Sequence, residues 1–393
     1  MGSKSLVSYY QESHFNPVPI DLQTSAEWQS HVTKRRNLYE KHLNIPFVLL
    51  SGHSVLEFGC NSGENSLVLA SFGANLTLVE ANEQVLSRLK ENFKRRNLED
   101  QITSLINGGI ENFESDRLYD IVLAEGFLFS LPNRDDMVQK ICDLLAPGGI
   151  GIISFNDRYG GLLEMIKKMF LYRSCQLEKV SSVQSHRSME LSKIFFEKQY
   201  AELNASRPFE AWWRDVLINP FYGWKYFWSF PEILLLLERG NTEVYSSSPP
   251  WISYDHFDWY KNVMGPKERH SLFLENWRQV FPYFLTQHSF KRDECYYASS
   301  EVTDSFSDLI FKISEFTREP DCSPEILQYP KALDQYLSEI DDHHLHEFNR
   351  ELKEVFFAIK SVNNIEELLD FYSSKKIINL WGKPYHYISF CKL

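Results

Sequence analysis

Residues 54–63 read Ser-Val-Leu-Glu-Phe-Gly-Cys-Asn-Ser-Gly, and a helical pattern follows to Ala70. The apolar run before Gly59 predicts a buried strand, and the two glycines predict a tight loop that leads into a helix near Gly63. Such a loop brings a ligand close to bare backbone and to the unpaired N–H groups of a helix start. The denser glycines of a dinucleotide site and the lysine of a phosphate loop are missing from it. Since Glu57 would repel an anion, the loop indicates a cationic or amino-bearing ligand, such as a nucleoside that carries an amino acid.

Strand and helix patterns alternate regularly from residue 54 to residue 157. Short apolar runs predict five strands, at 54–58, 75–80, 102–107, 119–124 and 149–155. Helical patterns fill the gaps between them, at 63–72, 82–97 and 133–145. Apolar strands separated by helices are typical of a doubly wound, mostly parallel sheet that is covered on both faces. The sequence therefore predicts an α/β fold.

Acidic and glycine-containing segments follow three of these predicted strands. Glu80 ends the second strand, Gly109 and Ile110 follow the third, and Glu125 ends the fourth. In open α/β sheets, ligands bind at the carboxyl ends of the strands, and a carboxylate after the second strand can accept both hydroxyls of a ribose. We therefore expect these residues to meet the glycine loop around one ligand.

Four motifs together resemble the class I S-adenosylmethionine-dependent methyltransferases. They are Leu-Glu-Phe-Gly-Cys-Asn-Ser-Gly at 56–63, Val-Glu at 79–80, Tyr-Asp-Ile-Val-Leu-Ala-Glu-Gly at 119–126 and Leu-Ala-Pro-Gly-Gly at 145–149. The resemblance implies that S-adenosyl-L-methionine is the cofactor and that the fold is Rossmann-like. It further implies a set of cofactor-binding residues: Glu57, Gly59, Cys60, Asn61, Gly63, Glu80, Ala81, Gly109, Ile110, Glu125, Gly126 and Phe127.

The resemblance also implies a role for each part of this set. Glu57 and the loop 59–63 would hold the amino-acid end of the cofactor, Glu80 its ribose and Ile110 its adenine, while residues 125–127 would line the sulfonium side. The sequence departs from the family at two places. Gly109 stands where an adenine-contacting acid is common, and Phe129-Ser130 stands where many small-molecule members have two histidines.

The rest of the chain is assigned to three regions. Residues 1–50 are expected to form an N-terminal arm and helix that act as a lid. Residues 51–159 together with 376–393 are expected to form the S-adenosylmethionine-binding domain, with a C-terminal β-hairpin at 377–391 that supplies the last two of seven strands. Residues 160–375 are predicted to be a large, mainly helical, aromatic-rich insertion that serves as the substrate or cap region.

The sequence also contains three candidate catalytic residues, His14, Tyr10 and Asp157. If the acceptor is a hydroxyl, methyl transfer needs alignment and a base. His14, next to Tyr9 and Tyr10, is a candidate base on a lid, and the alternative is an aromatic arm with an ordinary histidine. Asp157, at the end of the fifth strand, is a candidate for orienting the acceptor, or else part of a simple loop. The aromatic connector at 209–259 either contacts the substrate or forms core.

Composition narrows the classes of partner. The 393-residue chain carries a formal charge of −12 and no long basic run, which argues against nucleic-acid binding and against an anionic membrane surface. Six cysteines without a Cys-x-x-Cys pair indicate neither zinc nor a disulfide framework. The histidines at 343–346 resemble metal ligands, but a solvated helix is the favoured interpretation, so no metal is expected. Since no long apolar segment or secretory signal is present, a cytoplasmic location is predicted, with a homodimer left open.

These features lead to one main hypothesis of function. The chain is predicted to be an S-adenosylmethionine-dependent methyltransferase that acts on an oxygen or nitrogen of a small-molecule acceptor, of saccharide or natural-product type. The alternative is a non-catalytic S-adenosylmethionine-binding scaffold or sensor whose helical region holds a partner protein. A protein methyltransferase is a third, less favoured hypothesis.

Overall fold

The computed structural model describes residues 6–12, 22, 24–203, 205, 207–252, 259, 261–287, 297–318, 322–377 and 380–393. A seven-stranded sheet lies at its centre, with the strand order β3-β2-β1-β4-β5-β7-β6. The first five strands run parallel to one another, whereas β7 is antiparallel to both of its neighbours. The strands are β1 (Ser54–Phe58), β2 (Asn75–Glu80), β3 (Ile102–Asn107), β4 (Tyr119–Ala124), β5 (Leu145–Asn156), β6 (Thr242–Ser248) and β7 (Tyr385–Lys392).

Helices cover the sheet and form most of the chain after β5. In the described residues they are α1 (Leu6–Glu12), α2 (Ser25–Arg36), α3 (Glu64–Ser71), α4 (Leu86–Arg95), α5 (Arg134–Asp143), α6 (Leu162–Leu177), α7 (His186–Ala201), α8 (Phe209–Trp212), α9 (Phe230–Arg239), α10 (Pro266–Val280), α11 (Ser300–Phe316), α12 (Lys331–Glu339), α13 (His343–Ser361) and α14 (Ile365–Ser373). None of these described helices is both long enough and apolar enough to cross a membrane.

The predicted fold class is confirmed. All five predicted strands are present, and β1, buried along its whole length, pairs in parallel with β2 and β4. Apolar side chains on both faces of this central strand pack against helices, which is why it appears in the sequence as a continuous apolar run. The mostly parallel, seven-stranded sheet therefore has the Rossmann-like form that the alternation predicts.

The prediction of a C-terminal hairpin is wrong. Residues 385–392 form a single strand inserted between β5 and β6, and the described residues 380–384 contain no strand. Residues 378 and 379, part of the predicted first strand, lie outside the described residues. The edge strand is instead β6, which comes from within 160–375. Its sequence, Thr-Glu-Val-Tyr-Ser-Ser-Ser, is too polar to signal a strand by apolar content, because an edge strand packs on fewer neighbours.

The helical region shares one hydrophobic core with one face of the sheet. The buried cluster runs from Leu56 and Phe155 in the sheet to Trp212 and Phe306 in the helical region. Within the aromatic connector, Trp212, Trp213 and Trp228 are at most 3% exposed, so these tryptophans are core residues. The assignment of the chain to three regions remains a prediction.

Candidate active site

A cavity of about 1220 Å³ lies at the carboxyl ends of the parallel strands. Helical residues from the region after β5 form its opposite wall, so one continuous space is bounded by both parts of the chain. Of the predicted cofactor-binding residues, it is lined by Glu57, Gly59, Cys60, Asn61, Glu80, Ala81, Gly109, Ile110, Glu125, Gly126 and Phe127. Gly63 does not line it.

The two glycines of the loop have different tasks. Gly59 has a φ of +70°, and a Cβ there would lie 2.7 Å from the ring of Phe127. Only glycine therefore allows the loop and that ring to form the same cavity wall. Gly63 has a φ of +81°, and a Cβ there would lie 3.0 Å from Leu89 of α4. Gly63 thus serves the packing of α3 on α4, which corrects its predicted contact with a ligand.

Glu57 is a buried carboxyl group at the cavity wall. Its side chain accepts a hydrogen bond from the Ser66 hydroxyl, at 2.6 Å. Burial raises the pKa of Glu57 to about 7, although the Ser66 hydrogen bond opposes that shift. Because burial without a cation disfavours the carboxylate, a cationic ligand group beside Glu57 would favour ionisation.

Glu80 is fixed by the backbone of the loops around it. One carboxylate oxygen accepts the N–H of Asn61 and the other accepts the N–H of Asn82, both at 2.7 Å. Burial raises the pKa of Glu80, and these backbone hydrogen bonds oppose the shift. Each oxygen keeps further acceptor capacity, so the carboxylate can receive hydroxyl donors from a ligand.

Glu125 is paired with a residue that the sequence analysis missed. Arg35 of α2 donates to both oxygens of Glu125, at 2.9 and 2.7 Å, and Tyr39 donates to one of them at 3.2 Å. Arg35 also lines the cavity, and its Nε has no hydrogen-bond partner among the described residues. The spacing from His31, which is also buried, to Tyr39 places Arg35 on the inner face of its helix, and that spacing was the available signal.

A half-buried group of polar side chains lies on the helical side of the cavity. Tyr10 of α1, a predicted catalytic residue, lines the cavity and donates a 2.9 Å hydrogen bond to Asp215. The other oxygen of Asp215 forms an ion pair with Arg207, and both charged residues line the same cavity. Asp215 and Arg207 were also missed, since no motif marks them within an aromatic-rich stretch.

The structure corrects the prediction for Asp157. Its side chain is fully buried, lies outside the cavity lining, and accepts the backbone N–H groups of Tyr159 and Gly160 at 2.9 and 2.7 Å. Asp157 therefore shapes the turn after β5, and the preceding residue, Asn156, lines the cavity instead. The predicted base, His14, lies outside the described residues.

The histidines that resemble metal ligands in the sequence lie at the start of α13. His343 and His344 have stacked rings at the start of this helix, and Asp342 caps it through two backbone N–H groups. Within the described ranges, no group of three His, Cys, Asp or Glu side chains is arranged to hold a metal ion.

Comparison with known proteins identifies the domain that carries this site. The family model described as "Methyltransferase domain" matches residues 56–153, which include most of β1, all of β2 to β4 and most of β5. This part of the chain is a class I S-adenosylmethionine-dependent methyltransferase domain, and S-adenosylmethionine is the cofactor of that class.

Individual relatives are similar over this same part. The ubiquinone biosynthesis O-methyltransferase of Rickettsia akari is 28% identical over 109 residues, which are 28% of this chain and 42% of the relative. The cypemycin N-terminal methyltransferase of a Streptomyces species is 27% identical over 112 residues, 28% of this chain and 44% of the relative. This chain thus spans less than half the length of either relative. Among solved structures, the CcbJ methyltransferase from Streptomyces caelestis is 26% identical, with 29% of this chain and 48% of that chain covered and a TM-score of 0.27.

Proposed function

We propose that this chain is an S-adenosylmethionine-dependent methyltransferase that transfers a methyl group to an oxygen or nitrogen of a small acceptor. The observation that carries the proposal is the single cavity of about 1220 Å³, whose walls come from both the methyltransferase domain and the helical region. Methyl transfer requires the donor and the acceptor to be aligned in one enclosed space.

The charged groups of the cavity fit the cofactor. S-Adenosylmethionine carries an ammonium, a carboxylate, a ribose and a methyl sulfonium, and it supplies the methyl group when it is bound. Glu57 would hold the ammonium and so recover the ionised form that burial disfavours. Arg35, which lines the cavity, would pair with the carboxylate, and Glu80 would accept the ribose hydroxyls.

Helix α1 is proposed as the lid of this cavity. Tyr10 joins it to Asp215 on the acceptor side, and Gln11 donates to the side chain of Asn82, beside Glu80, at 3.3 Å. The helix therefore touches both halves of the cavity at once. A lid in this position would exclude water after both substrates have entered.

Two measurements test the proposal. Calorimetry with S-adenosylhomocysteine, the demethylated cofactor, is expected to show binding, and an absence of binding would overturn the donor site. A transfer assay with methyl-labelled S-adenosylmethionine and a panel of small saccharides, phenols and amines is expected to label a small product. Binding without transfer to the panel or to a small-molecule cell extract would favour the scaffold alternative instead.

A cytoplasmic location is proposed together with this activity. Cys60, at the cavity wall, is a buried free thiol, as are Cys142 and Cys175 elsewhere in the described chain. Free thiols next to a substrate site are easiest to maintain in a reducing compartment.

A further inference from the structure

Tyr385 stands at the wall where the methyl group would be presented. The backbone N–H of Gly126 donates to Ser154 Oγ at 2.8 Å, and Ser154 in turn donates to Tyr385 Oη at 3.0 Å. A Cβ built on Gly126 would lie 2.8 Å from that phenol oxygen. Because Ser154 uses its proton on Tyr385, the phenol is left to donate its own proton elsewhere, and no acceptor for it lies among the described residues. Tyr385 lines the cavity and is 39% exposed.

Asp215 and Arg207 are the charged neighbours of Tyr385 on the acceptor side. Burial is the main cause that raises the pKa of Tyr385; the Asp215 carboxylate adds to the shift and the Arg207 guanidinium opposes it. Both groups line the same cavity as Tyr385. The side chain of Asp215 is 20% exposed, whereas the other carboxylate of this wall, Glu164, is 7% exposed and receives Trp212 and Tyr222 as donors.

An apolar surface connects these polar groups to the donor site. The Phe127 ring touches the glycine loop at Gly59 and also packs on the small cluster that contains Phe221. Tyr226 packs on the same cluster and lines the cavity. These aromatic rings and the hydrogen-bonded ion pair line the same cavity as Tyr385.

We propose that the acceptor is an uncharged compound with an alcohol hydroxyl, which Tyr385 orients and from which Asp215 takes the proton. The inference rests on the proposed function and specifies its acceptor. The acceptor oxygen forms a bond to the methyl carbon while the bond from that carbon to the sulfonium breaks, and the electron pair stays on sulfur. The hydroxyl proton passes to the Asp215 carboxylate and then to water, so charge and atoms balance.

The charges of Asp215 and Arg207 favour an alcohol as acceptor over an amine or a carboxylic acid. Arg207 neutralises Asp215, so the pair has no net charge to attract an ammonium or to hold a carboxylate. The same arginine and the Tyr10 hydroxyl hold the Asp215 carboxylate in place at the cavity wall. An alcohol is the acceptor that needs such a base, whereas a neutral amine or a phenolate reacts without one.

The test compares acceptor classes in the full-length protein. Methyl-labelled S-adenosylmethionine is supplied with methyl glycosides of neutral sugars, with an amino sugar and with catechol, and the labelled atom is identified by mass spectrometry. A neutral glycoside is expected to be O-methylated.

Asp215→Asn is expected to lower kcat on that glycoside by about 100-fold. The affinity for S-adenosylhomocysteine should stay within about twofold, as a cofactor site distinct from Asp215 requires. Asp143→Asn, the same change at an exposed position outside the cavity, is the control.

A second variant keeps the proposal open to refutation if Asp215→Asn fails to fold. Tyr385→Phe removes one hydrogen bond to the acceptor and is expected to raise KM by about tenfold. Methylation of the amine in preference to every hydroxyl, an unchanged kcat in a folded Asp215→Asn, or an unchanged KM in Tyr385→Phe would each overturn the proposal. Refusal of all glycosides by a protein that binds S-adenosylhomocysteine would also overturn it, and would leave the donor site standing. Failure of the wild-type protein to bind S-adenosylhomocysteine would instead refute the proposed function.

Discussion

Arg35 and Glu125 form a two-pronged ion pair, at 2.7 and 2.9 Å, between the N-terminal helix and the end of the fourth strand. The two side chains are only 7% and 8% exposed, so each charge is stabilised mainly by the other and not by water. The pair attaches α2 to the carboxyl end of β4, and Arg35 also lines the cofactor cavity.

Removal of Arg35 alone is therefore expected to be costly. Arg35→Met leaves Glu125 buried without its cation, and it should lower the free energy of unfolding by about 3–5 kcal/mol. The double variant Arg35→Met, Glu125→Gln should recover much of that loss, but not the affinity for S-adenosylhomocysteine, because the positive charge of Arg35 at the cavity wall is missing. Chemical denaturation and calorimetry measure the two effects.

A neighbouring arginine provides the matched control for this prediction. Arg36 pairs with Glu40 on the surface of the same helical segment, with side-chain exposures of 51% and 22%. Arg36→Met should change the free energy of unfolding by less than about 1 kcal/mol. If both substitutions lowered the free energy of unfolding equally, the Arg35–Glu125 pair would not be a buried contact.

Binding of the cofactor product is expected to release a proton from Glu57. The pKa of Glu57 without a ligand is about 7, above its ordinary value of 4.5, so near pH 6.5 the folded protein holds much of this proton. An ammonium placed beside the carboxyl lowers that pKa, and the proton leaves. Calorimetric titration with S-adenosylhomocysteine at pH 6.5 in two buffers of different ionisation enthalpy should show release that fades by pH 8.5.

Glu57→Gln is the control for this proton release. The variant should bind more weakly and show no release from this position. The effect on stability has the opposite sign to that of an ordinary carboxyl. The raised pKa of Glu57 stabilises the folded state fully below the ordinary value of 4.5, and this contribution is lost as the pH rises through the folded pKa of about 7. Equal proton release in the wild type and in Glu57→Gln would place the ammonium elsewhere.

The sequence predicted those parts of the fold that depend on repeated local patterns. β1 was found because its burial on both faces demands an apolar run, and the loop 59–63 was found because its turns demand glycine. β6 was missed because an edge strand tolerates serines. The single C-terminal strand was mistaken for a hairpin because its true partners are distant in the chain.

The candidate site was predictable on the donor side and much less so on the acceptor side. Glu57 and Glu80 lie at fixed positions relative to strands, so motif and topology locate them together. Arg35, Asp215 and Tyr385 reach the cavity from three different elements, and their meeting depends on tertiary packing that no local spacing records. Asp157 shows how position alone can mislead, because its side chain follows a strand but forms hydrogen bonds within the turn and does not contact the cavity.

Asp157→Ala is accordingly expected to affect stability more than chemistry. The substitution removes two backbone hydrogen bonds in a buried turn, which should lower the free energy of unfolding by about 1–3 kcal/mol. The affinity for S-adenosylhomocysteine and the kcat of the folded fraction should stay close to the wild-type values. A large loss of kcat with normal stability would restore the direct role that the sequence suggested for Asp157.

Gly126 is expected to be intolerant of alanine for two separable reasons. Its φ of +85° disfavours any side chain, and its Cβ would stand 2.8 Å from Tyr385 Oη. Gly148 has a similar φ of +75°, with no atom within 4 Å of a built Cβ, so Gly148→Ala measures the backbone cost alone, about 1–2 kcal/mol. Gly126→Ala should exceed that cost.

In a Tyr385→Phe background the additional stability cost of Gly126→Ala should shrink, because the opposing hydroxyl is gone. The two substitutions should then be non-additive in thermal denaturation. Additive effects would mean that Tyr385 does not press on Gly126, and the wall that joins the donor and acceptor sides would have to be built differently.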